Sequence, residues 1–208
     1  MNPHVITFLI SLGATILGIS IVLLIERFRL PKIEIVVSED ASDDVTYHSG
    51  HPKANQRWKF FRVWVRSRPM PKWLRWLVRQ TAENCRGIIS IDGINNQVRI
   101  AYKGRWASTP EIPSVLHAAG VKITHPDPVS IRAGEKEALD IIAKCGKDSE
   151  AYGWNNESYF HDWRNPNYRI DPGQYSVKIT VDTQNGISAA KELTLVVGTT
   201  IDQTYFSA

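Results

Sequence analysis

His48-Ser-Gly-His51 follows closely on Glu39, Asp40, Asp43 and Asp44. Imidazole and carboxylate groups in one segment are the donor set of a borderline divalent cation. The same composition describes a solvated polar loop between two strands, which is the reading the spacing favours. His161-Asp162 has no third member nearby to complete a nucleophilic triad. His117 and His125 lie in a Pro-containing connection and point to no chemistry. The chain carries no Gly-rich phosphate loop, no G-x-S-x-G and no C-x-x-C. The expectation is a non-enzymatic chain with no cofactor, no structural or catalytic metal and no small-molecule substrate.

Charge is distributed unevenly. Arg57, Lys59, Arg62, Arg66, Arg68, Lys72, Arg75 and Arg79 fall within twenty-three residues that contain no acid, so this stretch is +8 while the whole chain is only +4. Aromatic side chains are interleaved: Trp58, Phe60, Trp64, Trp73 and Trp76. On a strand, Trp58, Phe60, Arg62, Trp64 and Arg66 share the face opposite Phe61, Val63 and Val65. Residues 71–79, PKWLRWLVR, read as a short turn or helix. Indoles beside cations suit a membrane surface with anionic lipid. They also suit single-stranded nucleic acid, but no RNA-binding motif accompanies them and nucleic acid is not expected as a partner. The plain alternative is a solvated sheet face with its Arg heads in water. The candidate lipid or partner surface is therefore Arg62, Trp64, Arg66, Lys72, Trp73, Arg75, Trp76 and Arg79.

A second candidate is the stretch from Lys147 to Pro172. It mixes Asn155, Asn156, Asn165 and Asn167 with Tyr152, Trp154, Tyr159, Phe160, Trp163 and Tyr168. Such a loop has too many aromatic residues for disorder. Tyr, Trp and Asn are what adaptable binding surfaces use, so these six aromatics are the expected partner loop. The alternative is that the loop folds back to cap the open end of the domain. For an exported domain, stacked rings would also suit a glycan.

These groups need elements to position them. Val5–Ile25 is twenty-one residues without a charge, roughly 30 Å as a helix and so the thickness of a bilayer's hydrocarbon core. The preceding Met-Asn-Pro-His has no Lys or Arg, the apolar run exceeds a signal peptide's, and no A-x-A-like site follows, so a retained anchor is expected. Arg27, Arg29 and Lys32 follow the helix against one acid, Glu26. The positive-inside rule then puts the N-terminus outside and the following domain in the cytoplasm. Thr7, Ser11, Ala14 and Gly18 share one helix face, a small-residue stripe suited to close packing of another membrane helix.

Residues 1–30 are thus read as anchor and flank, 31–198 as one domain and 199–208 as a tail. Period-2 alternation marks strands at Ile33–Val37, around Phe61–Val65, at Cys85–Ile91 and Val98–Tyr102 flanking a turn, and at Val129–Arg132, Ala138–Cys145, Gln174–Asp182 and Lys191–Val197. Eight or so strands and few helix signals predict a mainly β domain, an antiparallel sandwich behind a single transmembrane helix. The stretch PGQYSVKITV…GISAAKELTLVV resembles the closing hairpin of immunoglobulin-like and fibronectin-III-like sandwiches. That resemblance covers about 30 residues and implies fold only. It places Tyr175 either at a tyrosine corner or simply in the core. Cys85 and Cys145 are read as two buried thiols in a cytoplasmic domain, or as a disulfide in an exported one. The tripeptide Asn156-Glu157-Ser158 is a sequon that matters only for a lumenal domain.

The expected function is a single-pass, membrane-anchored accessory or scaffolding subunit that contacts the bilayer and another membrane protein. The alternative is an exported, tethered sandwich that binds glycan or a surface ligand. The charge bias makes a direct prediction. A reporter active only in the cytoplasm, fused after Ala208, is active; activity from an export-only reporter at that position overturns the orientation.

Overall fold

A computed structural model describes residues 3–46, 55–93, 99–112 and 125–207. His48, His51, His117 and Val98 lie outside the described residues. Helix α1 (Pro3–Arg29) is long and apolar enough to cross a membrane, and none of its residues is buried against the rest of the chain. Three of its four hydroxyls bond within the helix: Thr7, Thr15 and Ser20 donate to carbonyls four residues back at 3.0, 2.9 and 2.8 Å. A hydrocarbon environment demands such internal satisfaction.

Twelve strands follow among the described residues. In chain order they are β1 (Ile33–Val36), β2 (Asp43–Thr46), β3 (Arg57–Ser67), β4 (Ala82–Gly93), β5 (Arg99–Gly104), β6 (Val129–Ile131), β7 (Lys136–Cys145), β8 (Ala151–Gly153), β9 (Arg169–Ile170), β10 (Gly173–Asp182), β11 (Ser188–Val197) and β12 (Tyr205–Ser207). They form two antiparallel sheets. The first has the order β1-β3-β7-β8-β9, with β2 also on β3; the second has the order β12-β11-β10-β4-β5, with β6 on β4.

Alternation explains the main core. Phe61, Val63 and Val65 of β3 face Ile89 and Ile91 of β4, and Val177, Ile179 and Val181 of β10 join them with Leu193 and Leu195 of β11. The expected hairpin of β10 and β11 pairs over ten positions, from Gly173 with Val197 to Asp182 with Ser188. Tyr175 is buried there, and its hydroxyl donates to the Asp171 carbonyl at 2.8 Å. The stretch 199–208, expected as a tail, instead supplies β12 on the edge of β11 and the buried Ile201.

The first sheet has a second core on its outer face. Trp58 and Phe60 point away from the sandwich interior and meet Trp154, Trp163, Ala143 and Cys145. Ring centroids lie 5.2 Å apart for Trp58–Trp163, 4.9 Å for Phe60–Trp154 and 5.4 Å for Trp154–Trp163, all edge to face. The 147–172 stretch thus folds across the sheet face. Asp162 and Trp163 have φ of 52° and 69°, and a bulky side chain in the left-handed region persists only where packing over-determines it. Trp163 is 6% exposed. We predict that Trp163→Ala lowers stability by about 3–5 kcal/mol, measured by denaturant unfolding of the detergent-solubilised chain; a loss below about 1 kcal/mol would show that the outer core carries little of the fold.

Candidate functional site

The last turn of a helix leaves carbonyls without intrahelical partners. In α1 the Arg29 carbonyl is met by the segment between β3 and β4, the Gln80 amide donating to it at 2.7 Å; just beyond the helix the Arg68 amide donates to the Lys32 carbonyl at 2.8 Å and so extends the β1–β3 ladder. The Arg79 guanidinium donates to the Leu30 carbonyl at 2.7 Å, a cation placed at the negative end of the helix dipole. Burial lowers the pKa of Arg79 from its ordinary value. Lys72–Leu74 forms a 3-10 turn after Pro71, and Leu74 is its buried residue. With Leu74 inward, Trp73, Trp76 and Val78 project outward at 70, 70 and 76% exposure. Trp73 meets Phe28 of α1 edge to face at 6.2 Å. Lys72 and Arg75 are exposed beside them and have no acidic partner among the described residues. The result is a cluster of exposed indoles and cations at the charged end of an apolar helix, the arrangement that interfacial anchors adopt.

The strand half of the basic stretch is arranged differently, and this corrects the expected surface. Glu34 on β1 accepts from Arg66 at 2.8 Å and from Arg68 at 2.7 and 2.6 Å. Asp40 accepts from the Trp64 indole at 3.1 Å and from Lys136 at 3.4 Å, and the Lys136 ammonium sits 3.7 Å from the Trp64 ring centroid. Asp43 lies 3.2 Å from Arg62, and Arg57 bridges Asp44 and Asp202. The chain from β1 to β2 runs along one edge of β3, so its acids stand beside the strand's cations. Arg62, Trp64 and Arg66 are therefore matched within the domain, whereas Lys72, Trp73, Arg75 and Trp76 are presented outward. The same pairing accounts for Asp40, Asp43 and Asp44 among the acids considered as metal donors. Among the described residues no group of three His, Cys, Asp or Glu is placed to hold an ion.

Three buried charged groups, Arg105, Asp140 and Lys144, fall outside the sequence expectations, and two of them meet at one place. Asp140 on β7 is 1% exposed, with its carboxylate 2.5 Å from Arg62 and 4.0 Å from Arg105. Burial raises the Asp140 pKa, against the pull of the two guanidiniums. A register shift between Phe61 and Arg62 sets Asp140 opposite Arg62 on the outer face. The carbonyl of the extra residue, Ile141, accepts from the Tyr102 hydroxyl of the other sheet and from the Trp154 amide. The signal was a lone acid inside the apolar run Ala138–Ala143.

The expected partner loop is also corrected. Tyr152, Trp154 and Trp163 are 5, 2 and 6% exposed, while Tyr159, Phe160 and Tyr168 are half-buried. The asparagines are likewise structural. Asn155 caps the turn Asn156–His161 in a reciprocal box with Ser158, Asn165 caps Pro166–Tyr168, and Asn156 donates to the His125 carbonyl at 3.0 Å. Cys85 and Cys145 are both buried free thiols in separate cores. Burial pushes the Cys85 thiol up to about 11, which leaves it little reactive thiolate near neutral pH. The four small residues Thr7, Ser11, Ala14 and Gly18 are all exposed on α1, and nothing lies within 4 Å of a Cβ built on Gly18.

No protein-family model matches the chain, and no curated protein matches it either.

The Glu34 pairing generates a pH prediction. Hydrogen bonds from Arg68 and then Arg66 lower its carboxyl from 4.5 to about 2. A depressed folded pKa adds stability that is present above the unfolded value and is lost as pH falls toward the folded one. The wild type is therefore expected to melt above Glu34→Gln at neutral pH, with the gap narrowing from about pH 4.5 toward 2. A gap independent of pH would show that the pair does not couple the helix flank to β3. Thermal melts across that range decide it.

Proposed function

We propose that this chain is a single-pass, membrane-anchored, non-catalytic β-sandwich that works as an accessory or scaffolding subunit of a membrane protein complex. The observation that carries this reading is the direct lock between the end of α1 and the 71–80 segment, which sets Trp73, Trp76, Lys72 and Arg75 beside the helix terminus. A soluble domain joined by a free linker has no use for exposed indoles at that place. A domain held flush with the headgroups does. In this reading Arg27, Arg29 and Lys32 face the cytoplasm with the sandwich, and the N-terminus is outside. Two free thiols in separate cores are consistent with a reducing compartment.

The second attachment is lateral. The unfilled stripe of Ala14 and Gly18 offers a neighbouring helix close backbone approach. The aromatic loop makes no third attachment, because its largest rings belong to the outer core. Kinship with immunoglobulin-like domains is part of the proposal. It rests on the closing hairpin and on Tyr175, whose hydroxyl reaches a carbonyl four residues upstream as in a tyrosine corner.

Extraction in mild detergent tests the subunit role. The tagged chain is expected to come out at fixed stoichiometry with another membrane protein or with further copies of itself. Gly18→Leu is expected to reduce that recovery several-fold without changing the melting temperature of the sandwich. A monodisperse monomer in both cases would exclude the subunit role.

A further inference from the structure

We infer that the junction of helix and sandwich holds a discrete binding site for one anionic phospholipid, with the phosphate in a cationic cavity and an acyl chain along the helix. This rests on the membrane-seated reading above and adds a ligand to it. A cavity of about 660 Å³ lies under the 71–80 segment, lined by Lys32, Arg66, Arg68, Lys72 and Arg79 together with Ser67 and Pro71. Five cations converge there against one carboxylate, Glu34, which accepts from both Arg66 and Arg68. Lys32 and Lys72 have no acidic partner among the described residues. Concentrating like charges in one concavity is unfavourable without an anion, and guanidinium forks match phosphate oxygens.

A further observation points to a ligand. Lys32, Pro71 and Arg79 also line a second hollow of about 410 Å³, whose other walls are Leu24, Arg27 and Phe28 of α1. The cationic cavity thus opens directly onto the apolar side of the helix. A free phosphate would fill the first hollow only. A phospholipid fills both, with its headgroup on the lysines and arginines and its chain against Leu24 and Phe28. The charge fits a headgroup whose phosphate is its only ionised centre better than a zwitterionic one, whose ammonium would enter a cavity already rich in cations.

The test uses the full-length chain in detergent micelles and native mass spectrometry, with dioctanoyl phosphatidic acid, dioctanoyl phosphatidylcholine and inorganic phosphate as probes. One phosphatidic acid per chain is expected to be retained in preference to phosphatidylcholine, and millimolar inorganic phosphate is expected not to displace it. Lys32→Ala with Lys72→Ala is expected to weaken retention roughly 20- to 30-fold, the combined worth of two lysines near an anionic headgroup. Lys147→Ala with Lys178→Ala removes the same charge elsewhere and is expected to leave retention unchanged. Equal retention of the two lipids, an equal loss in both double variants, or displacement by inorganic phosphate would each overturn the site. Any of these results leaves co-extraction and its dependence on Gly18 intact. Failure of the anchored reading is seen separately, as a chain that stays in solution without detergent.

Discussion

The last turn of a helix leaves carbonyl groups that its own next turn cannot satisfy. In this chain those of Arg29 and Leu30 are taken by the backbone of Gln80 and the guanidinium of Arg79. Much else follows from that choice. The 71–80 segment has to come to the helix end, so β3 must finish and β4 must begin there. Leu74 pins the turn inward, and the indoles on either side have nowhere to go but out. The cationic cavity exists because β3's final arginines, the helix flank and the returning segment are drawn to one point.

Strand β3 imposes the second constraint. It carries large apolar rings on both faces, Phe61 on one and Trp58 and Phe60 on the other. A sheet with two apolar faces needs two covers. The second sheet supplies one, and the 147–172 stretch supplies the other with Trp154 and Trp163. Further along the same outer face the strand turns from rings to cations, and the cover changes accordingly to the carboxylates of Glu34, Asp40 and Asp43. Aromatic packing at one end and charge pairing at the other cover the outer face of this single strand from Trp58 to Arg66.

Sequence alternation located β3, β10 and β11 to within a few residues, because one face of each is buried in the sandwich and period 2 is then enforced; β7, buried continuously from Ala138 to Cys145, is legible as an apolar run instead. It also put Trp58, Phe60, Arg62, Trp64 and Arg66 correctly on one outer face. What covers that face was not legible, since the covering residues are about a hundred positions away. The short strands β8, β9 and β12 carry too few residues to show a period. The acids of 39–44 are legible as a cluster but not, with Glu34, as counter-charges, although an acidic segment directly preceding a basic one is a readable sign of pairing. Asn155 followed three positions later by Ser158 likewise has the spacing of a capping box. Trp73 and Trp76 were read as interfacial from composition, and the structure adds the helix end that they flank.

The junction has almost no slack: three residues, Leu30 to Lys32, separate α1 from β1; Leu30 and Lys32 take part in its bonds or its cavities, and Pro31 between them is buried. A tethered domain on a flexible linker is indifferent to how its anchor leans. This one is not. Where a bilayer is thinner or thicker than the helix's apolar span, the usual response is a change of tilt, and here a tilting helix must carry the sandwich round with it. On the proposed seating, bilayer thickness therefore sets the angle at which the sheets face the membrane, and the domain behaves as a pointer fixed to its axle.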